Sequence, residues 1–197
     1  MSLSSNSIPA VPFRAVLMLL TLLAGSLAMN VVLAVRRPAP ESRRATQALT
    51  GMLAPSMIAK SVSTGTVEVV SYRSFPQPTV VYVFMPTCSW CARNRANIES
   101  LAQQCKERFH LLALSLNEHG VDASLDRIGI RFPAYTGASS EFVHSLGLNA
   151  TPQLLVISPE GKVIENWIGA WDTEQQKEIE TFFHVRLPGL LPPHPPG

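Results

Sequence analysis

Little in this chain is charged, and very little of it is cysteine. Only 15% of its 197 residues are Asp, Glu, Lys or Arg, and the formal net charge is +2. With acids and bases mixed through the second half and no Lys/Arg stripe interleaved with aromatics, this composition argues against a phosphate-tracking surface and against nucleic acid as a partner. Three cysteines, one left over after any pairing, exclude the disulfide framework that staples small secreted folds. They also fall short of a structural zinc site. Cys88 and Cys91 are two ligands of the four required, and no second Cys-x-x-Cys or His-x-x-x-His follows, so no metal is expected. No internal repeat is present. What replaces charge is apolar: 46% of residues are hydrophobic and the mean hydropathy is positive, which suits one globular domain with membrane contact.

The membrane contact is easily placed. Ala15 to Val35 is uncharged over 21 residues, enough as a helix to cover about 30 Å of hydrocarbon, and reads as a transmembrane anchor behind a tail of residues 1–14. Ser26-Leu27-Ala28 resembles a signal cleavage site, but the apolar run continues past it. Arg14 precedes the span whereas Arg36, Arg37, Arg43 and Arg44 follow it. Counted by the positive-inside tendency, those arginines put the C-terminal part in the cytoplasm. Residues 36–65, with Pro38 and Pro40 and little periodicity, read as a tether carrying a short helix over Thr46 to Leu53.

The folded unit is expected over residues 66–185. Thr66 to Tyr72 alternates as a strand, Pro76 and Pro78 mark a turn, and Thr79 to Met85 is a buried strand. Cys91 to Phe109 reads as a helix, His110 to Leu116 as a strand, Val121 to Ile128 as a short helix, and Ser139 to Leu146 as a helix closed by Gly147. Gln153 to Ser158 and Lys162 to Gly169 flank Pro159-Glu160-Gly161 as a hairpin. Asp172 to His184 is a last helix, with Asp172 as N-cap and Gln175 three residues on as in a capping box. The proline-rich tail, residues 186–197, is expected to be extended and poorly ordered.

Cys88-Ser89-Trp90-Cys91 carries the chemistry. It falls where a strand hands over to a helix N-terminus, and the unpaired N–H groups and dipole there stabilise a thiolate at Cys88. The same sulfurs could hold Cu(I) with a histidine such as His144, although no spacing selects it. Cys105 lies 14 residues beyond Cys91 on the predicted helix, about 21 Å along its axis, too far for a disulfide to either motif cysteine. It reads as a small, partly buried hydrophobe. Trp90 can contact a partner or cover the disulfide, and Arg93 and Arg95 read as a solvated helix face that could also favour the thiolate.

This order of elements resembles the thioredoxin fold, and within it the membrane-anchored TlpA-type thiol-disulfide oxidoreductases, with overlap to redoxin or AhpC/TSA-like domains. The resemblance rests on Phe84-Met85-Pro86-Thr87-Cys88-Ser89-Trp90-Cys91, on Asn149-Ala150-Thr151-Pro152-Gln153, and on Ile157 to Val163 leading to Trp167-Ile168-Gly169. It implies an α/β fold with a central mixed sheet flanked by helices, preceded here by the N-terminal transmembrane helix. It implies Cys88 and Cys91 as the catalytic pair, and Trp90, Thr151 and a cis Pro152 as the substrate-binding rim. Protein thiols or disulfides are the implied partners, with a membrane or soluble partner to recycle the pair. No dissociable cofactor is needed, because the sulfurs carry the electrons. The resemblance further implies reductase action outside the cytoplasmic membrane, against the arginine count, while the oligomeric state is not specified. Read without the resemblance, a copper metallochaperone and a non-catalytic binding module stay open.

Two departures stand out. Thioredoxin has a buried acid six residues before the first cysteine, and this chain has Tyr82 there, which leaves Glu118, acting through water, as a substitute proton acceptor. A peroxiredoxin pattern would need Pro and Thr at Val81 and Met85, and has neither.

Overall fold

The computed structural model describes residues 13–35 and 49–192. The first stretch is one helix, α1 (Phe13–Val35), a unit separate from the α/β domain. Its 23 residues span about 35 Å. With a mean hydropathy of 2.2 over Arg14–Val32, it is long and apolar enough to cross a bilayer.

The domain is organised around β3 (Thr79–Phe84), whose Thr-Val-Val-Tyr-Val-Phe sequence is buried at every position. A strand apolar on both faces belongs in the middle of a covered sheet. It pairs in parallel with β4 (His110–Ser115), from Thr79 opposite His110 to Phe84 opposite Ser115. On its other side β6 (Gln153–Ile157) runs antiparallel, from Thr79 opposite Ile157 to Val83 opposite Gln153. Further out lie β5 (Ala134–Thr136), β1 (Met57–Ser61), β2 (Val67–Val70) and β7 (Val163–Ile168), in the order β2-β1-β5-β4-β3-β6-β7. Both parallel and antiparallel pairs occur, so the sheet is mixed.

Helices cover both faces. They are α2 (Ser89–Arg93), α3 (Arg95–Cys105), α4 (Val121–Ile128), α5 (Ser140–Ser145) and α6 (Thr173–Phe183). Val80, Tyr82 and Phe84 share one core with Ile98 and Leu101 of α3 and Ile179 and Phe183 of α6. The alternate residues Val81 and Val83 share the other with Phe142 and Leu146 near α5. The alternation of β3 thus splits the interior in two, as the pleat requires. This is the helix-flanked mixed sheet expected of a thioredoxin-like fold.

Five local expectations are corrected. Residues 36–65, read as a tether, contain β1, which turns Met57, Ala59 and Ser61 inward and leaves Ile58 and Lys60 outside. Of the helix expected over Thr46 to Leu53, residues 46–48 lie outside the described residues; 49–52 form a turn, and Leu53 bridges to Lys162. The single helix expected from Cys91 to Phe109 begins at Ser89 and breaks at Asn94. Asn94 is fully buried, at φ −78° and ψ 0°, and its side chain bonds that of Asn97 instead of continuing the helix face. Asp172 does cap α6, accepting from the backbone N–H of Glu174 and Gln175 at 3.0 Å each, but the box is half made. Gln175 donates to the Ile168 carbonyl instead.

The last correction is the tail. Residues 193–197 lie outside the described residues; residues 186–192 form no helix or strand but are bonded to the domain. Leu187 is buried, its N–H held by Glu180 and its carbonyl by Gln176. Ser100 and Gln104 donate to the Arg186 carbonyl, and the Gly189 N–H donates to the buried Asn97 side chain at 2.8 Å. Burying Leu187 and satisfying Asn97 together contribute roughly 2–4 kcal/mol. A chain ending after Val185 therefore unfolds at a lower urea concentration by that free energy, and an unchanged midpoint contradicts a stabilising strap.

Candidate active site

The chain leaves β3 at Phe84 and turns through residues 85–87 into α2, with the Cys88 N–H bonded to the Met85 carbonyl at 3.0 Å. Arg127 of α4 donates to the Pro86 carbonyl and pins this loop from the side. Cys88 is the N-cap of α2, and its Sγ accepts from the Cys91 N–H at 3.0 Å. The two cysteines form a disulfide, with Cα atoms 5.2 Å apart. Their exposures differ in the way that matters chemically. Cys88 is 9% exposed and Cys91 is 0%, so the limited solvent access of the pair lies at Cys88.

Thr151-Pro152 comes to the same end of the sheet. Val83 lies opposite Gln153, so the register carries Pro152 to the level of Phe84, where the cysteine loop departs. The peptide bond between Thr151 and Pro152 is cis, and the Pro152 carbonyl accepts from Gly169 at 2.8 Å. Pro152 is buried and Thr151 half-buried. Trp90 is 45% exposed, with the Arg93 guanidinium 4.3 Å from its ring centroid. Arg95 is elsewhere engaged, paired with Glu99 at 3.1 Å.

The residues weighed for other roles fall as follows. Tyr82 is buried with its hydroxyl unpartnered among the described residues, its ring edge-on to Trp171 at 6.3 Å. Burial pushes its phenol far above the ordinary range, so it stays protonated and cannot take a proton from Cys91. Glu118 is exposed in the loop after β4, its carboxylate beside Gly137. His144 is exposed and its Nδ1 meets the Ser140 carbonyl at 2.8 Å. Among the described residues no three His, Cys, Asp or Glu side chains gather as a metal-binding group.

Cys105 is free and fully buried at the end of α3, with an Arg108 nitrogen 3.7 Å from its sulfur. Burial pushes its thiol up and Arg108 pulls it back, burial being the larger effect. It is a core residue, more deeply buried than the partial burial its sequence suggests. Sequence reasoning missed Arg127 and Asn97, whose partners Pro86 and Gly189 lie across the fold and leave no local signature, and Asn94, which bonds Asn97 at the helix break.

Comparison with known proteins fits this geometry. The Redoxin family model matches residues 49–182. No curated protein sequence matches the chain. The thioredoxin domain of a thiol-disulfide oxidoreductase from Bacteroides vulgatus superposes with a TM-score of 0.56 at 16% identity, covering 68% of this chain and 97% of that one. A Chlorobium tepidum protein described as a candidate thiol:disulfide interchange protein DsbE gives 0.57 at 16% identity, over 68% and 96%. StoA from Bacillus subtilis gives 0.50 at 17% identity, over 64% and 96%. These likenesses establish the fold. With the family match spanning most of the chain and a Cys88–Cys91 disulfide at the head of a helix, the chain belongs to the Redoxin family of thioredoxin-like oxidoreductases.

Proposed function

We propose that this protein exchanges dithiol and disulfide with partner proteins through Cys88 and Cys91, acting as a reductase tethered to a membrane by α1. The observation that carries the reading is the asymmetry of the pair: Cys88 retains 9% exposure and Cys91 none. In the reduced protein the Cys88 thiolate attacks a partner disulfide, forming a Cys88–partner bond as the partner's S–S bond breaks, and the leaving thiolate takes up a proton. Cys91 then gives up its proton and attacks Cys88, which releases the second partner thiol. The partner gains two electrons and two protons, and Cys88–Cys91 is left oxidised. A redox partner must return those electrons.

The rim assists at two points. The Cys91 N–H that bonds Cys88 Sγ favours the sulfur as thiolate. Pro152, having no N–H, offers no competing donor beside the sulfurs, and the backbone of Thr151 is free to pair with an extended substrate. The proton of Cys91 goes to water or to Glu118 through water, since Tyr82 cannot accept it. The domain is assigned to the extracytoplasmic side on the resemblance to TlpA-type proteins.

Equilibration of the full chain with glutathione or dithiothreitol buffers tests this reading. A reversible two-electron couple nearer about −270 mV than about −120 mV is expected of a reductase. A midpoint at the oxidising end reverses the direction of exchange, and the absence of any reversible couple removes the reading.

A further inference from the structure

The exposed indole of Trp90 has a companion. Arg93 lies three residues on along α2, its guanidinium carbon 4.3 Å from the ring centroid, within the range of a cation–π contact. The C-terminal strap holds it there from two directions. The Arg93 Nε donates to the Leu191 carbonyl at 2.8 Å, and the Leu191 N–H donates to the Arg93 carbonyl at 2.8 Å. Behind this clasp, Gly189 is anchored on the fully buried Asn97 and Arg186 on Ser100 and Gln104.

A guanidinium has five N–H donors, and among the described residues only Nε of Arg93 has a protein acceptor. The ion pairs among the described residues use Arg95 and Arg131, not Arg93. Arg127, the other arginine at the cysteine loop, is turned onto the Pro86 carbonyl. A half-buried cation, bonded through Nε and with no partner for its outer nitrogens among the described residues, therefore stands in the same short helix that Cys88 caps. Its planar fork matches a carboxylate, and stacking on Trp90 removes much of the entropy cost of binding one.

We propose that Arg93, clamped over Trp90 by the C-terminal strap, selects protein partners that carry an Asp or Glu side chain close to the reacting disulfide. The proposal rests on the exchange reading above and names the partner's charge. A partner acid meets the free edge of the guanidinium while its cysteine meets Cys88, and a basic side chain at that place is repelled. The strap is then part of the recognition surface, because without Leu191 the arginine is released to sample many rotamers.

The test uses the full-length reduced protein in detergent and three disulfide-linked peptide pairs that differ only in Glu, Gln or Lys beside the cysteine. Second-order reduction rates should fall in that order, with Glu faster than Lys by about threefold to tenfold at low salt, and the gap should close as salt rises. Arg93→Glu should reverse the order and Arg93→Lys should keep it. A chain ending after Gly189, which lacks Leu191, should show a smaller Glu/Lys ratio. Each ratio is taken within one variant, so a loss of folded protein lowers all three rates without changing it. Equal rates for the three peptides in the native chain, or a preference that survives Arg93→Glu, overturn the proposal while leaving the exchange reading in place. Failure to reduce even the Gln peptide overturns the exchange reading, and this proposal with it.

Discussion

Cys88→Ser slows reduction of a disulfide-bonded protein by on the order of a thousandfold or more. The size follows from the chemistry and from what is left behind. A serine hydroxyl does not ionise near neutral pH and forms no disulfide, so both the nucleophile and the mixed intermediate disappear. Neither remaining cysteine can take over. Cys91 is fully buried, and Cys105 is fully buried at the far end of α3. Its thiol is pushed up by burial, which lowers the thiolate fraction further. Stopped-flow reduction of a disulfide substrate by the prereduced full chain measures the effect. A variant within tenfold of the native rate contradicts it.

The largest effect on stability is expected at Phe183. This residue ends α6 and is fully buried. Its ring meets Phe109 at 4.9 Å, Phe182 at 4.9 Å and Trp167 at 5.9 Å. Truncation to alanine removes these contacts and leaves a cavity that the sheet behind it cannot close, a cost of about 3–5 kcal/mol. That is a large share of the roughly 5–15 kcal/mol of a typical domain. Urea unfolding should show a lower midpoint at unchanged slope, and a thermal midpoint lower by roughly 6–20 °C. The Arg108 bond to the Phe183 carbonyl is a backbone contact and survives the substitution. A loss below about 1 kcal/mol would mean the aromatic cluster is not a supporting wall of the domain.

What could be read from the sequence was local. The β3 strand is a continuous apolar run, the hairpin of β6 and β7 brackets a Pro-Glu-Gly turn, and the Cys88-Cys91 spacing is visible at a glance. Thr151-Pro152 could be paired with the cysteines only through the resemblance, because 60 residues of sequence separate Cys91 from Thr151. What stayed hidden is long-range. The five residues of β1 include an exposed lysine and follow a proline-containing stretch, and only the pairing with β2 and β5 makes them a strand. The strap looked disordered because proline-rich chains bury little, yet its backbone finds acceptors and donors on Asn97, Gln104, Gln176 and Glu180. The Arg93 and Leu191 clasp joins positions 98 residues apart. No periodicity displays such a contact.

The central claim is that Cys88 attacks and Cys91 resolves, and trapping tests it most directly. In a Cys91→Ala chain expressed in a membrane with oxidising surroundings, the second step is blocked, so partners should accumulate as covalent adducts on Cys88. These adducts should dissolve with dithiothreitol and be absent when Cys88 is also replaced by serine. No adduct from Cys91→Ala, or adducts that persist without Cys88, would contradict the account.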